Sequence, residues 1–445
     1  MNRTVLSFEP LGDQVLLKLE DAPTDIPGLG EHALTDVSDP PGGTIVERGK
    51  ALLDRLALHP AVGKGLAAVL ALPPGAAPGP LYFHMLSSHA DRLPWELLFD
   101  PVHGFCALDR RWPIVRIAAR RRGLRQQGFA APLRLVAVLS AAGRSGLPQL
   151  ATLLDATATA DAKAVKVRLH VISGEQEVLD AVAAAGRPEV TAELIPPTEP
   201  ELRRSITAAR PHILHLLCHG GAGLGGVRTL AFAHFADVEA AKDRAPEGQR
   251  EPDRPEDAGS VRIKVPELIT ALEPSDPWLV VLSACQTAEA SDTQAMAHEL
   301  VSNGVPAVAG MRRLVDLHDT NQFCAALYPE VLAAVRAAIS PNATLAREVD
   351  WAVVFTAPRL ALAGQDPAAA DSWTDPVLYV QADPLLVFPG STALSPADFS
   401  TLQGQLDVWQ EFAATLDPLT ADPGLLERAH ERIAELHAAL GMAEP

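Results

Sequence analysis

Short apolar segments alternate with helix-period segments along the middle of the chain, and this alternation limits the fold more than any other feature. The apolar segments are residues 133–140, 165–172, 190–196, 212–218, 278–284 and 305–310. Helix-period segments between them include residues 200–210, 265–273 and 295–304. Apolar strands that alternate with helices are typical of a parallel sheet whose faces are covered by helices. The sequence therefore predicts an open α/β fold with a mostly parallel sheet.

The segments on either side of this region have different patterns. Before it, loop-rich stretches surround a helix-like stretch at 46–72 and a short apolar strand at 81–86. After it, residues 399–416 and 425–440 have the apolar spacing of two amphipathic helices, which predicts a helical hairpin. The predicted parts are an N-terminal α/β segment at 1–130, the sheet-containing core at 131–388 and a C-terminal helical tail at 389–445.

Composition narrows the choice of partner and compartment. The formal net charge of -18 argues against nucleic acid or an anionic membrane as the main partner, and the basic run at 116–125 is at most a weak partner surface. The first residues lack the apolar stretch of a secretory signal, and no apolar run has the length of a membrane span. The four cysteines are widely spaced without a CxxC pair, which favours reduced thiols. We therefore expect a cytoplasmic protein.

Two of the predicted strands end in residues that can carry chemistry. The strand at 212–218 continues into His219, Gly220 and Gly221, and the strand at 278–284 continues into Cys285. Functional groups collect at the carboxyl ends of parallel strands, and a helix that begins after Cys285 would favour its thiolate. If the two strands are neighbours, the sequence predicts a nucleophile and its base in one crevice.

Other readings of the same residues predict no metal and no cofactor. His212, His215, Cys218 and His219 are spaced closely enough to suggest zinc, but in a strand 212 and 218 face one side and 215 and 219 the other. Residues 221–226 (GAGLGG) formally match a dinucleotide-binding pattern, yet a strand-like segment follows them instead of a helix. The remaining cysteines are read as packing residues: Cys106, Cys218 and Cys324.

Five sequence strings together resemble a known family. They are LPWELLFDP at 93–101, HLLCHG at 215–220, VVLSACQTA at 280–288, HELVSNGVPAVAG at 298–310 and PVLYV at 376–380. In this order and spacing they resemble the CHAT peptidases, caspase-like proteins of the same clan as separases and metacaspases. The resemblance covers most of residues 46–388 and implies a caspase-like sheet.

The resemblance also implies roles for particular residues. Cys285 would be the nucleophile and His219 the general acid and base, with the backbone N–H groups of Cys285 and Gly220 as oxyanion donors. Related arginine-cleaving enzymes have an acidic residue two positions before the cysteine, where this chain has Ser283. The family commonly has a tryptophan in the region where this chain has Arg312 and Arg313.

Because of these departures, the resemblance does not determine which P1 side chain the specificity pocket would accept. Ser283 offers no acidic partner for a basic P1 side chain, while Arg312 and Arg313 would favour an acidic or neutral one. Asp316 and Asp319 would favour the opposite preference.

Three functions are consistent with the sequence. The first is an endopeptidase that cleaves a specific protein partner, which by the resemblance would act in bacterial defence or regulated cell death. Its substrate would be a gasdermin-like protein or another effector, and a separate sensor or activator protein would control it. The charged, proline-rich loop at 241–259 would be mobile and carries arginines that could be self-processing sites. The alternatives are an inactive pseudopeptidase that serves as an interaction module, and a cysteine hydrolase of small molecules.

Overall fold

The computed structural model describes most of the chain. The described residues are 3–12, 14–40, 42–119, 125–162, 165–222, 227–244, 259–284, 291–313, 317–339, 346–389, 396–415 and 423–440. The chain divides into two compact units. The larger is Met1–Arg122, Pro132–Leu332 and Asp350–Ala382, and the smaller is Gly123–Ala131, Ala333–Val349 and Asp383–Pro445.

The strands of the described residues fall into three sheets. In chain order they are β1 (Thr4–Leu11), β2 (Gln14–Asp21), β3 (His32–Thr35), β4 (Leu81–Met85), β5 (Phe99–Asp100), β6 (Gly104–Phe105), β7 (Ile114–Ala119), β8 (Arg125–Phe129), β9 (Leu133–Leu139), β10 (Val167–Ser173), β11 (Val190–Leu194), β12 (Ile213–Ala222), β13 (Arg228–Phe232), β14 (Val261–Lys264), β15 (Leu279–Ala284), β16 (Ala307–Met311), β17 (Arg347–Glu348), β18 (Pro376–Gln381) and β19 (Leu385–Pro389). Fourteen form the large sheet, β5 pairs with β6, and β17, β19 and β8 form a small sheet.

The helices lie between these strands and in the C-terminal tail. They are α1 (Ile45–Ala57), α2 (Pro60–Leu70), α3 (Ser88–Asp91), α4 (Leu147–Ala162), α5 (Gln176–Ala185), α6 (Glu199–Ala209), α7 (Phe235–Arg244), α8 (Val265–Leu272), α9 (Ser291–Ser302), α10 (Leu317–Ala338), α11 (Thr356–Ala363), α12 (Pro396–Thr415) and α13 (Pro423–Leu440). Short 3-10 turns occur at Trp95–Leu97, Cys106–Leu108, Ala352–Phe355 and Ser372–Thr374.

The large sheet contains two parallel blocks, and β2 and β3 continue it beyond β1 as antiparallel strands. Its order is β11, β10, β9, β12, β15, β16, β18, β7, β4, β1, β2, β3. Neighbouring strands are parallel from β11 to β16 and again from β18 to β1, and the blocks meet in the antiparallel pair of β16 and β18. β13 and β14 extend β12 as an antiparallel flap. The prediction of an open, mostly parallel sheet flanked by helices is therefore confirmed.

Both faces of the central strands are covered, which explains their mostly apolar sequences. On one face Leu216 of β12 and Leu282 of β15 lie in a buried cluster with Ile206 of α6, Leu268 of α8 and Leu300 of α9. Burying a side chain of this size contributes about 1.5–3 kcal/mol, so the cluster holds the helices on the sheet. A strand buried on both faces cannot alternate apolar and polar residues, and it is recognised as a continuous apolar run.

The stretch at 46–72, expected as one helix-like segment, forms two helices. α1 begins with a capping box in which the Thr44 side chain accepts from the Glu47 N–H and the Glu47 side chain accepts from the Thr44 N–H. It ends before His59, whose side chain caps α2 by accepting from the N–H groups of the next turn. Pro60 disfavours a helical conformation at the residue before it and is tolerated at the first position of a helix. The proline therefore sets the break.

β12 continues farther than the sequence indicates. The predicted strand ends at Cys218, and the pairing of β12 with β15 does end there. The chain nevertheless stays extended to Ala222, because His219 and Gly220 pair with Ala231 and Leu230 of β13. His219 thus lies within an extended strand rather than in a loop.

The PWELL segment joins the N-terminal strands to the centre of the sheet. Trp95 packs against the rings of Phe8 and Phe83, with ring centroids 4.8 and 5.5 Å apart. Glu96 is fully buried and accepts two hydrogen bonds from Arg116 of β7, at 3.1 and 2.7 Å. Burial alone would raise the pKa of Glu96, but the charge of Arg116 and its hydrogen bonds hold that pKa below its ordinary value. The first residue of the basic run is therefore an interior ion-pair partner.

We predict that Glu96→Ala destabilises the protein strongly. The substitution leaves the guanidinium of Arg116 buried without its main partner, and breaking a buried ion pair in this way costs about 3–5 kcal/mol. Urea unfolding of the full chain, followed by tryptophan fluorescence, measures the loss. The control is Glu330→Ala, which removes the surface pair with Arg110 and should cost less than about 1 kcal/mol. Equal losses for the two variants would contradict this role of Glu96.

The smaller unit contains the C-terminal tail. α12 and α13 form the predicted helical hairpin, with Leu406, Ile433 and Leu436 buried between them. β19 pairs with β17 and with β8. None of the helices in the described ranges is both long and apolar enough to cross a membrane. Of the charged loop at 241–259, the first four residues belong to α7 and residues 245–258 lie outside the described residues.

Candidate active site

The two strands that carry the predicted dyad are neighbours in the sheet. β12 and β15 run parallel, with Leu217 opposite Ser283 and Cys218 opposite Ala284. The next residue along β12 is His219, and the next residue of the chain after β15 is Cys285. The structure therefore confirms that these strands are adjacent and places His219 at this edge. Cys285 itself lies outside the described residues.

The His219 imidazole is buried and has a fixed orientation. Its side chain is 0% exposed, and Nε2 lies 2.9 Å from the carbonyl oxygen of Ala142. A carbonyl oxygen can only accept a hydrogen bond, so Nε2 carries the proton and donates it. In the neutral ring Nδ1 is then the basic nitrogen, which is the state that a general base requires.

The Ala142 carbonyl belongs to a loop, residues 140–146, that connects β9 to α4. Ser140 fixes its start: its N–H donates to the carbonyl of Leu217 in β12 at 3.0 Å, and its hydroxyl accepts from the N–H of Gly174 at 3.0 Å. The N–H of Ala233, just after β13, donates to the Ser140 carbonyl at 3.1 Å. The 140–146 loop is thereby bonded to the same strand that carries His219.

A series of hydrogen-bonded, buried polar side chains lies on the same face of the sheet as His219. It includes His215, which precedes His219 in β12. Tyr328 Oη lies 2.7 Å from His215 Nδ1, and His215 Nε2 lies 2.6 Å from Gln149 Oε1. Gln149 Nε2 donates to Ser283 Oγ at 2.9 Å, and Cys324 Sγ lies 4.0 Å from the same hydroxyl. These contacts connect α4 and α10 to β12 and β15. Burial lowers the pKa of His215 to about 3, so the His215 imidazole is uncharged at neutral pH.

Ser283 therefore has a defined partner in the interior. It is 1% exposed, and its hydroxyl accepts the Gln149 amide. The sequence pointed to Ser283 only through its position before Cys285, and it gave no signal for Gln149 or Tyr328. The part of Ser283 in a specificity pocket stays a prediction.

Arg312 and Arg313 lie at the end of β16, the strand next to β15, and both are paired with acids. Arg312 donates to Thr374 Oγ1 at 2.9 Å and to Asp375 Oδ1 at 3.2 Å. Arg313 donates to Asp371 at 2.7 Å and to Asp375 at 2.6 Å. An acidic substrate side chain would have to compete with these carboxylates. Their role in the pocket stays a prediction, and Asp316 lies outside the described residues.

The other predicted features have the following outcomes. Gly220 lies opposite Leu230 in the flap, and its oxyanion role stays a prediction, as does that of the Cys285 N–H. Cys106, Cys218 and Cys324 are buried free thiols, and burial raises the pKa of Cys106 to about 12. Among the described residues, no cluster of three or more His, Cys, Asp or Glu side chains could hold a metal ion.

The mostly parallel sheet flanked by helices agrees with a caspase-like, peptidase-family fold, and a family-model match supports that assignment. A family model, described as the CHAT domain, matches residues 49–351, and the chain belongs to this family. The predicted family is thus confirmed. No curated protein sequence compared with the chain matches it.

One solved structure that resembles the chain is separase in the Saccharomyces cerevisiae separase-securin complex, with a TM-score of 0.34 and 12% sequence identity. The match covers 74% of this chain and 17% of the separase chain, so the chain spans about a sixth of that protein's length.

We predict that His215 contributes to the loss of stability in acid. Its pKa is about 3 when folded and about 6.5 when unfolded, so the unfolded chain binds a proton that the folded chain does not. The stability it contributes is complete above pH 6.5 and is lost as the pH falls towards 3. Between pH 6 and 4, the unfolding free energy of His215→Gln should therefore depend less steeply on pH than that of the wild type, by about 1.4 kcal/mol per pH unit.

Urea unfolding at a series of pH values measures these slopes. His89→Gln is the matched control, because His89 is exposed, and it should leave the slope unchanged. An unchanged slope in His215→Gln would mean that the ring binds its proton over the same pH range in the folded and the unfolded protein, which contradicts the lowered pKa.

Proposed function

We propose that the protein is a cysteine endopeptidase in which Cys285 is the nucleophile and His219 the general acid and base. The observation that carries the proposal is the His219 ring, which is buried in β12 just beyond the last residue paired with β15 and whose Nε2 is held by the Ala142 carbonyl. The neighbouring strand β15 leads directly into Cys285. Membership of the CHAT family adds support, because the family is built on a peptidase fold.

The proposed reaction needs no metal and no cofactor. His219 Nδ1 takes the proton of the Cys285 thiol, and the thiolate attacks the carbonyl carbon of the scissile peptide bond. The N–H groups of Gly220 and Cys285 would hold the negative oxygen of the tetrahedral intermediate. The imidazolium then gives its proton to the leaving amine, and water hydrolyses the acyl-enzyme with His219 again as the base.

The proposed substrate is a specific protein partner. By the family resemblance it would be a gasdermin-like protein or another effector in bacterial defence or regulated cell death, under the control of a separate sensor or activator. We also propose that the protein acts in the cytoplasm, which the buried reduced thiols of Cys106, Cys218 and Cys324 favour. Self-processing at Arg244, Arg250 or Arg254 in the loop at 241–259 would require a pocket that accepts basic residues, and it would fit the position of that loop between His219 and Cys285 in the chain.

The second candidate is a pseudopeptidase that binds a partner without cleaving it. The observation that favours it is the arginine pair at the end of β16. Arg313 is held by Asp371 and Asp375 in the region where the family commonly has a tryptophan, so this region differs in chemistry from the family pattern.

We predict that a peptidyl acyloxymethyl ketone labels Cys285 in a His219-dependent manner. His219→Ala and His219→Gln should slow labelling by about 10²–10⁴-fold, because the thiol loses its general base. Peptide mass spectrometry after timed exposure measures the labelling. Cys106 serves as the internal control and should stay unlabelled, because it is buried and its pKa is raised to about 12.

Cleavage of a proteome-derived peptide library by the wild type and by Cys285→Ala then tests the peptidase itself. Cuts that disappear in Cys285→Ala and in both His219 variants would establish the activity and give the P1 residue. Labelling that is independent of His219, together with no dyad-dependent cut, would favour the pseudopeptidase.

A further inference from the structure

Glu175 is a buried carboxylic acid that the proposed reaction does not use. It follows β10 and precedes the first residue of α5, and it is 6% exposed. Its Oε1 accepts a hydrogen bond from the Gly146 N–H at 2.8 Å, and the Ser145 hydroxyl also hydrogen-bonds the carboxyl group. Both partners are in the last two residues of the 140–146 loop, which supplies the Ala142 carbonyl to His219.

The loop is therefore fixed at both ends, with Ala142 between the two attachment points. Ser140 bonds its start to Leu217 and Gly174, and Glu175 bonds its end. Between them the chain turns sharply: Gly143 has a φ of +74°, and Ala141 forms an isolated bridge with Arg144. A short turn between two fixed ends has little freedom, so a displacement of Gly146 moves the Ala142 carbonyl.

The site of the Gly146 contact is closely packed. A Cβ atom at position 146 would lie 3.0 Å from Leu139 Cβ and 3.3 Å from Glu175 Oε1. The Gly146 N–H is buried with the residue, and a buried N–H that loses its acceptor costs about 1–3 kcal/mol. The carboxyl group is therefore the acceptor on which this end of the loop depends.

The carboxyl group also changes charge near neutral pH. Burial raises the pKa of Glu175 to about 7, while its bonds to Gly146 and Ser145 act in the opposite direction. The charged groups that act on it are Glu177 of α5, which raises the pKa, and Lys242 of α7, which lowers it. Lys242 is itself paired with Glu177 at 2.7 Å and with Glu239 at 2.9 Å. Protonation removes the charge from the bonds that hold the loop.

We propose that Glu175 is a positioning residue for the His219 imidazole, and that its carboxylate acts through the 140–146 loop by fixing Gly146 and so the Ala142 carbonyl. The inference rests on the proposed function of His219 as the base of Cys285. The ionised form accepts two charge-assisted hydrogen bonds from the loop, and such bonds are about twice as strong as neutral ones. The protonated form holds the loop less firmly, so His219 is less well oriented.

The experiment compares the alkylation rate of Cys285 by iodoacetamide in the full-length wild type, Glu175→Gln and Glu175→Ala between pH 5.5 and 8.5. The glutamine keeps an acceptor for the Gly146 N–H but cannot ionise. We expect the ratio of the wild-type rate to the Glu175→Gln rate to be close to one at pH 5.5 and to rise with a midpoint near pH 7. It should reach about tenfold at pH 8.5, which is part of the roughly 10²–10⁴-fold that a well-placed general base contributes. Glu175→Ala should be slower than Glu175→Gln at every pH.

Two controls separate the possible results. Glu193→Gln changes a partly exposed carboxylate at the end of β11 and should give a ratio that does not vary with pH. His219→Gln measures the dependence on the base itself. If alkylation depends on His219 but the Glu175 ratio is flat with pH, the positioning role is wrong and the proposed peptidase stands. If alkylation is independent of His219 in the wild type, the proposed function fails, and the inference fails with it.

Discussion

The parallel pairing of β12 with β15 is the constraint on which the rest of the site depends. Its register sets Leu217 opposite Ser283, so the two strands reach the same edge of the sheet together. A slip of one residue would turn every side chain of a strand to the other face. Ser283 would then lose Gln149, and His219 would leave the Ala142 carbonyl. The apolar cluster on the opposite face holds the register, because the same slip would bring polar groups into it.

A single segment, residues 140–162, contacts both strands at this edge. Its loop presents the Ala142 carbonyl to His219, and one turn into α4 Gln149 reaches Ser283. The same amide group contacts His215, which in turn contacts Tyr328 of α10. Buried polar groups in such a chain are each satisfied by the next, and each would be costly alone. Position and stability of the edge are thus set by the same contacts.

Particular elements show how far local sequence can be read. β9, β15 and β16 were predictable because a strand buried on both faces is a nearly continuous apolar run. The break between α1 and α2 is also a local property, because Pro60 disfavours a helical conformation at the residue before it. The extension of β12 to Ala222 is different, because it depends on pairing with β13. The sequence of β12 alone does not predict it. Glu175 gave no sequence signal, since a glutamate beside a helix is usually an exposed first-turn residue.

The sequence by itself determined the family and the kind of fold, and it singled out the residues that follow two apolar runs, His219 and Cys285. Strand periodicity and motif strings are local properties, so they can be recognised in the sequence without knowledge of how the elements pack. Only the tertiary structure decided that the Ala142 carbonyl orients His219, that Gln149 holds Ser283, and that Asp371 and Asp375 neutralise the arginines after β16. Each of these contacts joins residues far apart in the chain, and the hydrogen-bond partner of a buried group is chosen by where the packed elements bring it.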